Sequence, residues 1–255
     1  MVRLRLPHCA SIVTAIAILI SLGAAVHAED TSPPIAPAAR KAVEAMGQTL
    51  AAGGFSFREQ TIREYVDATE QPLHIFHTAE VTVRRPDRLD VDAAGDDGKT
   101  RIAFDGKTLV LYSVNANRYA SLTVPGPIEQ MLKAASEKMG MDFPLADFLA
   151  EKPAAAFLAG VSYGRVVGTA SVDGVPCLHI FFMQPPGIEL ELWTEANDHA
   201  LPRRLIVTYR SLPGEPRFIA TMSDWKLGIT PPDGAFEFQV PANATRVGIE
   251  QEKRQ

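Results

Sequence analysis

Cysteine is nearly missing from this 255-residue chain: Cys9 and Cys177 are the whole supply. Cys9 stands inside an amino-terminal targeting segment, so the mature chain keeps one thiol and cannot close an intrachain disulfide. Stability must then come from burial of a core. Positive charge is also short. Lys and Arg number 25 against 30 Asp and Glu, a formal net charge of −5, and nucleic-acid recognition needs a basic footprint instead. No Gly-x-Ser-x-Gly elbow, phosphate loop or dinucleotide fingerprint occurs, so the sequence implies no cofactor and gives no support to nucleotide or α/β-hydrolase chemistry. Long apolar runs are confined to Ala10–Val26, whose 17 residues fall below the roughly 20 that a membrane-spanning helix needs.

That run, preceded by Arg3 and Arg5 and followed by Val26-His27-Ala28, has the form of a secretory signal peptide cleaved before Glu29. Cys9 precedes the apolar run, so Leu6-Pro7-His8-Cys9 is not a lipobox. Removing 28 of 255 residues leaves 227 and takes the formal charge from −5 to −7. The expectation is an exported periplasmic protein with no membrane span. Residues 29–37 are a Pro-rich flexible tether, residues 38–246 form one domain, and residues 247–255 are a disordered tail.

Period-two alternation dominates the mature chain. Ile188, Leu190 and Leu192 alternate with Glu189, Glu191 and Trp193; after a polar turn, Leu205, Val207 and Tyr209 alternate with Arg204, Ile206 and Thr208. A helix over about Ala38–Ala52 comes first, with Val43, Met46 and Leu50 on one face. Six strands follow between Phe55 and Val124, punctuated by Asp96-Asp97-Gly98 and Asp105-Gly106, a tight-hairpin signal. The first of them changes phase near Thr61-Ile62, which suggests a bulge. Ile128, Met131, Leu132, Ala135 and Met139 then have helical spacing, closed by Gly140; Phe143–Ala150 and Pro153–Ala159 predict two shorter helices. A second meander covers Val161–Leu227. Phe236 and Phe238 suggest a short last strand, and the tail from Asn243 is polar and frayed. Phe181-Phe182-Met183 and Leu205-Ile206-Val207 are apolar on both faces and predict strands covered on both sides. Such a distribution gives a mainly β, α+β fold: an antiparallel sheet carrying a few helices.

Several segments resemble a bacterial family of predicted periplasmic proteins of unknown function, related to the lipoprotein-carrier (LolA/LolB-like) superfamily. They are Val81-Thr-Val-Arg-Arg-Pro-Asp-Arg-Leu89, Phe104-Asp-Gly-Lys-Thr-Leu109, Val172-Asp-Gly-Val-Pro-Cys177, Leu192-Trp-Thr-Glu195, Leu201-Pro-Arg203 and Ser223-Asp-Trp225. The resemblance spans about Ala38 to Arg246. It implies a curved antiparallel open half-barrel with an N-terminal helix and a central helical lid, whose concavity receives acyl chains in the carrier superfamily.

Residues with chemical potential are few. His74 and His77 are three apart and point to opposite faces of a strand, so they cannot share a metal. Asp90 with Asp92, and Glu189 with Glu191, alternate with apolar residues and form solvated faces. Cys177 and His179 share a strand face and offer a hydrolase reading that lacks an exposed thiolate. Bulky apolar residues remain as the main resource. The leading expectation is a non-enzymatic binder or carrier of a hydrophobic, acyl-chain-bearing ligand (a lipid or lipoprotein). Its wall comprises Phe55, Phe57, Val81, Leu89, Val91, Phe104 and Tyr112 from the sheet, and Met131, Leu132, Phe148 and Phe157 from the lid. The second expectation is an envelope protein-interaction or sensor module using Arg84, Arg85, Arg88, Arg203 and Arg204 as an edge patch.

Overall fold

The computed structural model describes residues 34–69 and 71–248; the expected signal peptide lies outside them. After helix α1 (Pro37–Ala51), six strands form one meander: β1 (Phe55–Val66), β2 (Pro72–Arg84), β3 (Arg88–Gly95), β4 (Gly98–Phe104), β5 (Thr108–Ser113) and β6 (Arg118–Thr123). Helices α2 (Ile128–Met139), α3 (Ala146–Leu149) and α4 (Pro153–Phe157) follow. The second meander is β7 (Tyr163–Val172), β8 (Val175–Gln184), β9 (Ile188–Glu195), β10 (Pro202–Tyr209) and β11 (Arg217–Leu227). A 3-10 turn at Asp233–Phe236 and a two-residue strand β12 (Thr245–Arg246) end the described chain.

All twelve strands belong to one sheet, ordered β12-β6-β5-β4-β3-β2-β1-β11-β10-β9-β8-β7. The sheet is open, because its edges β12 and β7 do not pair. Every pairing is antiparallel except β12 with β6. The decisive contact joins β1 to β11, which fuses the two meanders. It leaves β6 near one edge and β7 at the other. The connection between them must therefore cross the sheet, and the apolar stripe of α2 (Ile128, Met131, Leu132, Ala135) is buried as it does so. Gly140 ends α2 in the left-handed conformation that a helix C-terminus favours.

The main core lies on this inner face. Phe55, Phe57, Val81, Val83, Leu89, Phe104, Leu109, Ile180, Phe182, Leu192, Leu205 and Met222 supply the sheet side, and Val43, Met46 and Leu50 of α1 and Phe148 and Phe157 of the lid supply the helical side. Phe157 meets Phe182 edge to face at 5.4 Å and stacks on Phe148 at 6.1 Å. Gly47 lets α1 approach α4 closely, since a Cβ there would stand 2.6 Å from the Cβ of Ala154. Gly47→Ala is therefore expected to destabilise by about 1–3 kcal/mol through overpacking, despite the gain of about 1 kcal/mol in helix propensity. A denaturant midpoint equal to or above the parent's would contradict the close approach.

Several sequence expectations need correction. The phase change in β1 is no bulge: β1 pairs with β2 without interruption from Phe55↔Val83 to Val66↔Pro72. The irregularity sits opposite Phe57, where β11 spends an additional residue at Asp224–Trp225 and Asp224 takes φ 54°. Phe236 and Phe238 form no strand. Phe236 is buried under the Arg84 guanidinium and Phe238 packs on Tyr112, so this segment covers the outer face. Residues 245–247 are tied down by β12 and by the Val247 N–H donating to the Tyr119 carbonyl; the tail from 249 lies outside the described residues. At the other end, Ile35 bridges to Gly164 and α1 begins at Pro37, so residues from Pro34 onward hold the free edge of β7. Outer-face cover over the second meander is thin. Val172, Cys177 and Trp193 form a small cluster with Ile206 against it, while Met183 is 43% exposed.

Candidate functional site

A cavity of about 400 Å³ opens between the inner face of β1–β4 and the non-helical 141–145 segment that precedes α3. Such a volume lies within the range of small-molecule sites. Strand parity builds its floor. Phe57, Val81, Leu89, Val91 and Ile102 all project inward, with Ala79 and Ala93 leaving space between them. Phe143, Pro144, Leu145 and Leu149 form the roof, and Phe218 closes one side. Trp225, re-aimed by the β11 bulge, stacks on Phe57 at 4.4 Å.

The lining is polar at the end toward the β1–β2 hairpin, where the inward positions of β1 change from Phe55 and Phe57 to Glu59, Thr61 and Arg63. Here the sequence pattern had its phase change. The apolar positions do not switch strand; the inner face itself becomes polar, while Ile62 faces outward. Arg63 makes a 2.9 Å ion pair with Asp142 of the roof, and its guanidinium covers the Phe218 ring at 5.5 Å. Beyond this pair lies a wider groove of about 790 Å³, lined by Tyr65, Val66, Met141, Tyr209, Leu212 and Pro213, which shares Arg63, Met141 and Asp142 with the cavity. The Arg63–Asp142 bridge thus ties β1 to the 141–145 segment where the two spaces adjoin. His77, also on the lining, holds Asp97 at 2.6 Å.

Glu59 differs from these. Its carboxyl has no hydrogen-bond or ion-pair partner among the described residues, and burial pushes its pKa up to about 7. Protein surrounds it closely, yet the side chain keeps some accessible surface. The carboxyl-bearing side chain lies on the lining of the cavity. Its register neighbours are Ala79 on β2 and Met222 on β11, neither of which can solvate a charge.

Of the residues anticipated for the ligand wall, Phe57, Val81, Leu89 and Val91 line the cavity. Phe55, Phe104, Met131, Phe148 and Phe157 are packed into the core beside it and are each no more than 2% exposed. Leu132 lines a separate shallow groove between α2 and α3. Tyr112 belongs to the other face: it pairs with Arg101 and Tyr119, and its hydroxyl donates to Asn117. Leu109 and Leu111 are the inward residues of β5. Glu59, Arg63, His77 and Asp142 were not anticipated; the polar run at positions 59, 61 and 63 was their one visible sign.

The edge patch of arginines does not exist as such. Arg84 pairs with Asp233 and Arg88 with Asp87. Arg203 pairs with Glu195, and Arg204 stacks over Trp193. Arg85 turns inward, donating to the carbonyls of Leu50, Phe148, Leu149 and Ala150. The carboxylates expected on solvated faces are also engaged. Asp90 is half-buried against Arg101, Glu189 meets Arg210, and Glu191 receives His179 at 2.9 Å. His179 stacks on Trp193 at 3.9 Å. Cys177 is fully buried, its thiol donates to the Val175 carbonyl, and burial raises its pKa. The two are therefore not arranged as nucleophile and base. His74 faces Glu64, away from His77. Among the described residues no three of His, Cys, Asp and Glu converge as metal ligands, and no helix is long and apolar enough to cross a membrane.

Comparison with solved structures places the fold. An uncharacterised conserved protein from Thermus thermophilus superposes with a TM-score of 0.50 at 11% identity, covering 82% of this chain and 98% of that one. The Mycobacterium tuberculosis lipoprotein LppX gives 0.46 at 17% identity (76% and 99% covered), and a LolA superfamily protein from Nitrosomonas europaea gives 0.40 at 11% (78% and 97%). No curated protein matches the sequence. A family model does match, over residues 39–250, which is nearly the whole sheet and its helices: the chain belongs to the family described as "Predicted periplasmic protein (DUF2092)".

Proposed function

We propose that this is an exported periplasmic protein, cleaved near Ala28, that binds or carries a hydrophobic ligand bearing an acyl chain and performs no catalysis. The observation that carries this reading is the largely apolar cavity under the 141–145 segment, with the Arg63–Asp142 ion pair on its polar side. Phe57, Val81, Leu89, Val91 and Leu149 would contact the tail. Each methylene moved from water into such a lining contributes about 0.8 kcal/mol, so a tail of modest length offsets the several kcal/mol lost on immobilisation. The wider groove beyond this pair supplies a route for the remainder of a lipid or of a lipidated protein. A regulatory interaction with an envelope protein is less favoured, because the arginines that would have formed its surface are committed internally.

Protein purified without detergent should carry lipid in native mass spectrometry and enhance the fluorescence of an acyl-chain probe. Ala93→Phe fills the floor of the cavity and is expected to weaken probe binding at least tenfold while leaving the circular dichroism spectrum intact. Unchanged binding in that variant, or no lipid and no probe signal in the parent, would remove the basis for a carrier. Asp142→Ala breaks the ion pair. Exposed pairs of this kind contribute about 0.2–1 kcal/mol, so probe release should accelerate roughly two- to fivefold with little change in stability. Stopped-flow displacement measures this directly; an unchanged release rate would show that the pair does not gate release.

A further inference from the structure

We infer that Glu59 reads the ligand's head, and that the cavity selects a single-tailed amphiphile with an amine head over the corresponding fatty acid. This rests on the carrier reading above and adds the polar half of the ligand to it.

The geometry is that of a receptor for one charge. Five ionisable side chains line the cavity: Glu59 and Arg63 from β1, His77 from β2, Asp97 from the β3–β4 turn and Asp142 from the roof. Four of them are already matched, Arg63 with Asp142 and His77 with Asp97. Glu59 alone has no partner among the described residues, and it stands where the apolar floor ends, between Ala79 and Met222 in register. A tail laid along Phe57, Val81 and Val91 brings its head to this carboxyl. β1 thus writes the amphiphile's polarity in sequence order, apolar at Phe57 and acidic at Glu59.

The charge balance sets the preference. A buried carboxylate without a counter-charge is unfavourable, and a cation arriving beside it relieves that cost. An amine head can also donate hydrogen bonds to the carboxylate, shorter and stronger than neutral ones. A fatty-acid head adds a second negative charge, and the cationic groups it could meet on the lining, Arg63 and His77, already face Asp142 and Asp97. A hydroxyl head can exchange a hydrogen bond but brings no charge, so it belongs between the two.

The test is displacement of an acyl-chain fluorescent probe by dodecylamine, dodecanol and dodecanoate, each below its micelle concentration, at pH 6 and pH 8. By analogy with Lys and Glu side chains the amine and carboxylate heads hold their charge across this interval, so a change with pH comes from the protein, and Glu59→Gln separates the part due to Glu59 from any part due to His77 on the same lining. The expected order at pH 8 is amine, alcohol, carboxylate, with at least tenfold between first and last. The amine's advantage over the alcohol should shrink at pH 6, where Glu59 is protonated, and should vanish in Glu59→Gln at both pH values. Equal affinities for all three, carboxylate as the tightest, or an unchanged order in Glu59→Gln overturns the inference while leaving the carrier reading intact. If none of the three displaces the probe and no lipid co-purifies, the carrier reading fails and this inference fails with it.

Discussion

Glu59→Gln is expected to stabilise the folded chain by about 2 kcal/mol at pH 8 and to change nothing at pH 4. The cause is the isolated carboxyl on β1, whose pKa burial raises from 4.5 to about 7. Below the lower value the group is protonated in both the folded and unfolded chain, and acid and amide behave alike. Between the two values the folded state keeps a proton that the unfolded state has lost, so stability falls as pH rises. Above about 7 the folded state carries a poorly solvated charge and the loss is complete. A shift of this size corresponds to roughly 3 kcal/mol; water entering through the cavity mouth reduces it. Urea denaturation of both proteins from pH 4 to pH 8 gives the comparison. Parallel stability curves, with the difference independent of pH, would refute the assignment of Glu59 as a buried, unpaired acid. A bound amine should shrink the difference, since it supplies the counter-charge that the fold withholds.

Arg85→Met should cost the fold about 3 kcal/mol, because it leaves part-buried carbonyl acceptors without a donor, each on the order of 1–3 kcal/mol where water cannot replace it. Arg85 stands in the β2–β3 turn and donates four hydrogen bonds: from Nε to the Leu50 carbonyl at 2.8 Å, from Nη1 to Leu149 at 3.0 Å and Ala150 at 2.7 Å, and from Nη2 to Phe148 at 3.0 Å. These carbonyls lie at the C-terminal ends of α1 and α3, where helices leave acceptors without internal partners and where a cation is favoured by the helix dipole. The guanidinium also lies over Phe55 at 5.7 Å. One side chain therefore ties the sheet to both helices. Methionine fills much of its volume but satisfies none of the acceptors. Amide exchange should rise most in α1, α3 and the 141–145 segment, with β8–β10 less affected. Arg84→Met is the comparison, since Arg84 sits nearer solvent with Asp233 and the Pro231 carbonyl; it should lose about 1 kcal/mol. If the two variants lose the same stability, Arg85 has no special part in seating the lid.

Much of this architecture is encoded locally. Alternation at 188–195 and 202–209, the Asp105-Gly106 and Asp173-Gly174 turns, and the stripe of Ile128, Met131, Leu132 and Ala135 each report a nearest-neighbour property: which side chains share a face, and where the backbone can reverse. β5 shows where that code fails. Leu109 and Leu111 compete with Val110, Tyr112 and Val114, both sets are apolar, and alternation cannot tell inside from outside. The register with β4 decides, because Phe104↔Leu109 and Ile102↔Leu111 place the leucines inward and Tyr112 under Phe238. The cavity was half legible for a similar reason. Phe57, Val81, Leu89 and Val91 announced an apolar face, but whether a bulky residue lines a space or fills it depends on what lies opposite. Phe104 and Phe148 meet packed neighbours; Val91 meets a gap.

The chain by itself determined the strands of its two meanders, their hairpins and the amphipathic helix that follows β6, because alternation, turn residues and helical spacing act over a few residues. Only the tertiary structure decided that β1 lies beside β11, that the helices must cross the sheet to join its two ends, and that the acid at position 59 is left alone in the space beneath them. Those outcomes depend on contacts between residues more than a hundred apart, such as Glu59 and Met222, for which no short stretch of sequence carries the information.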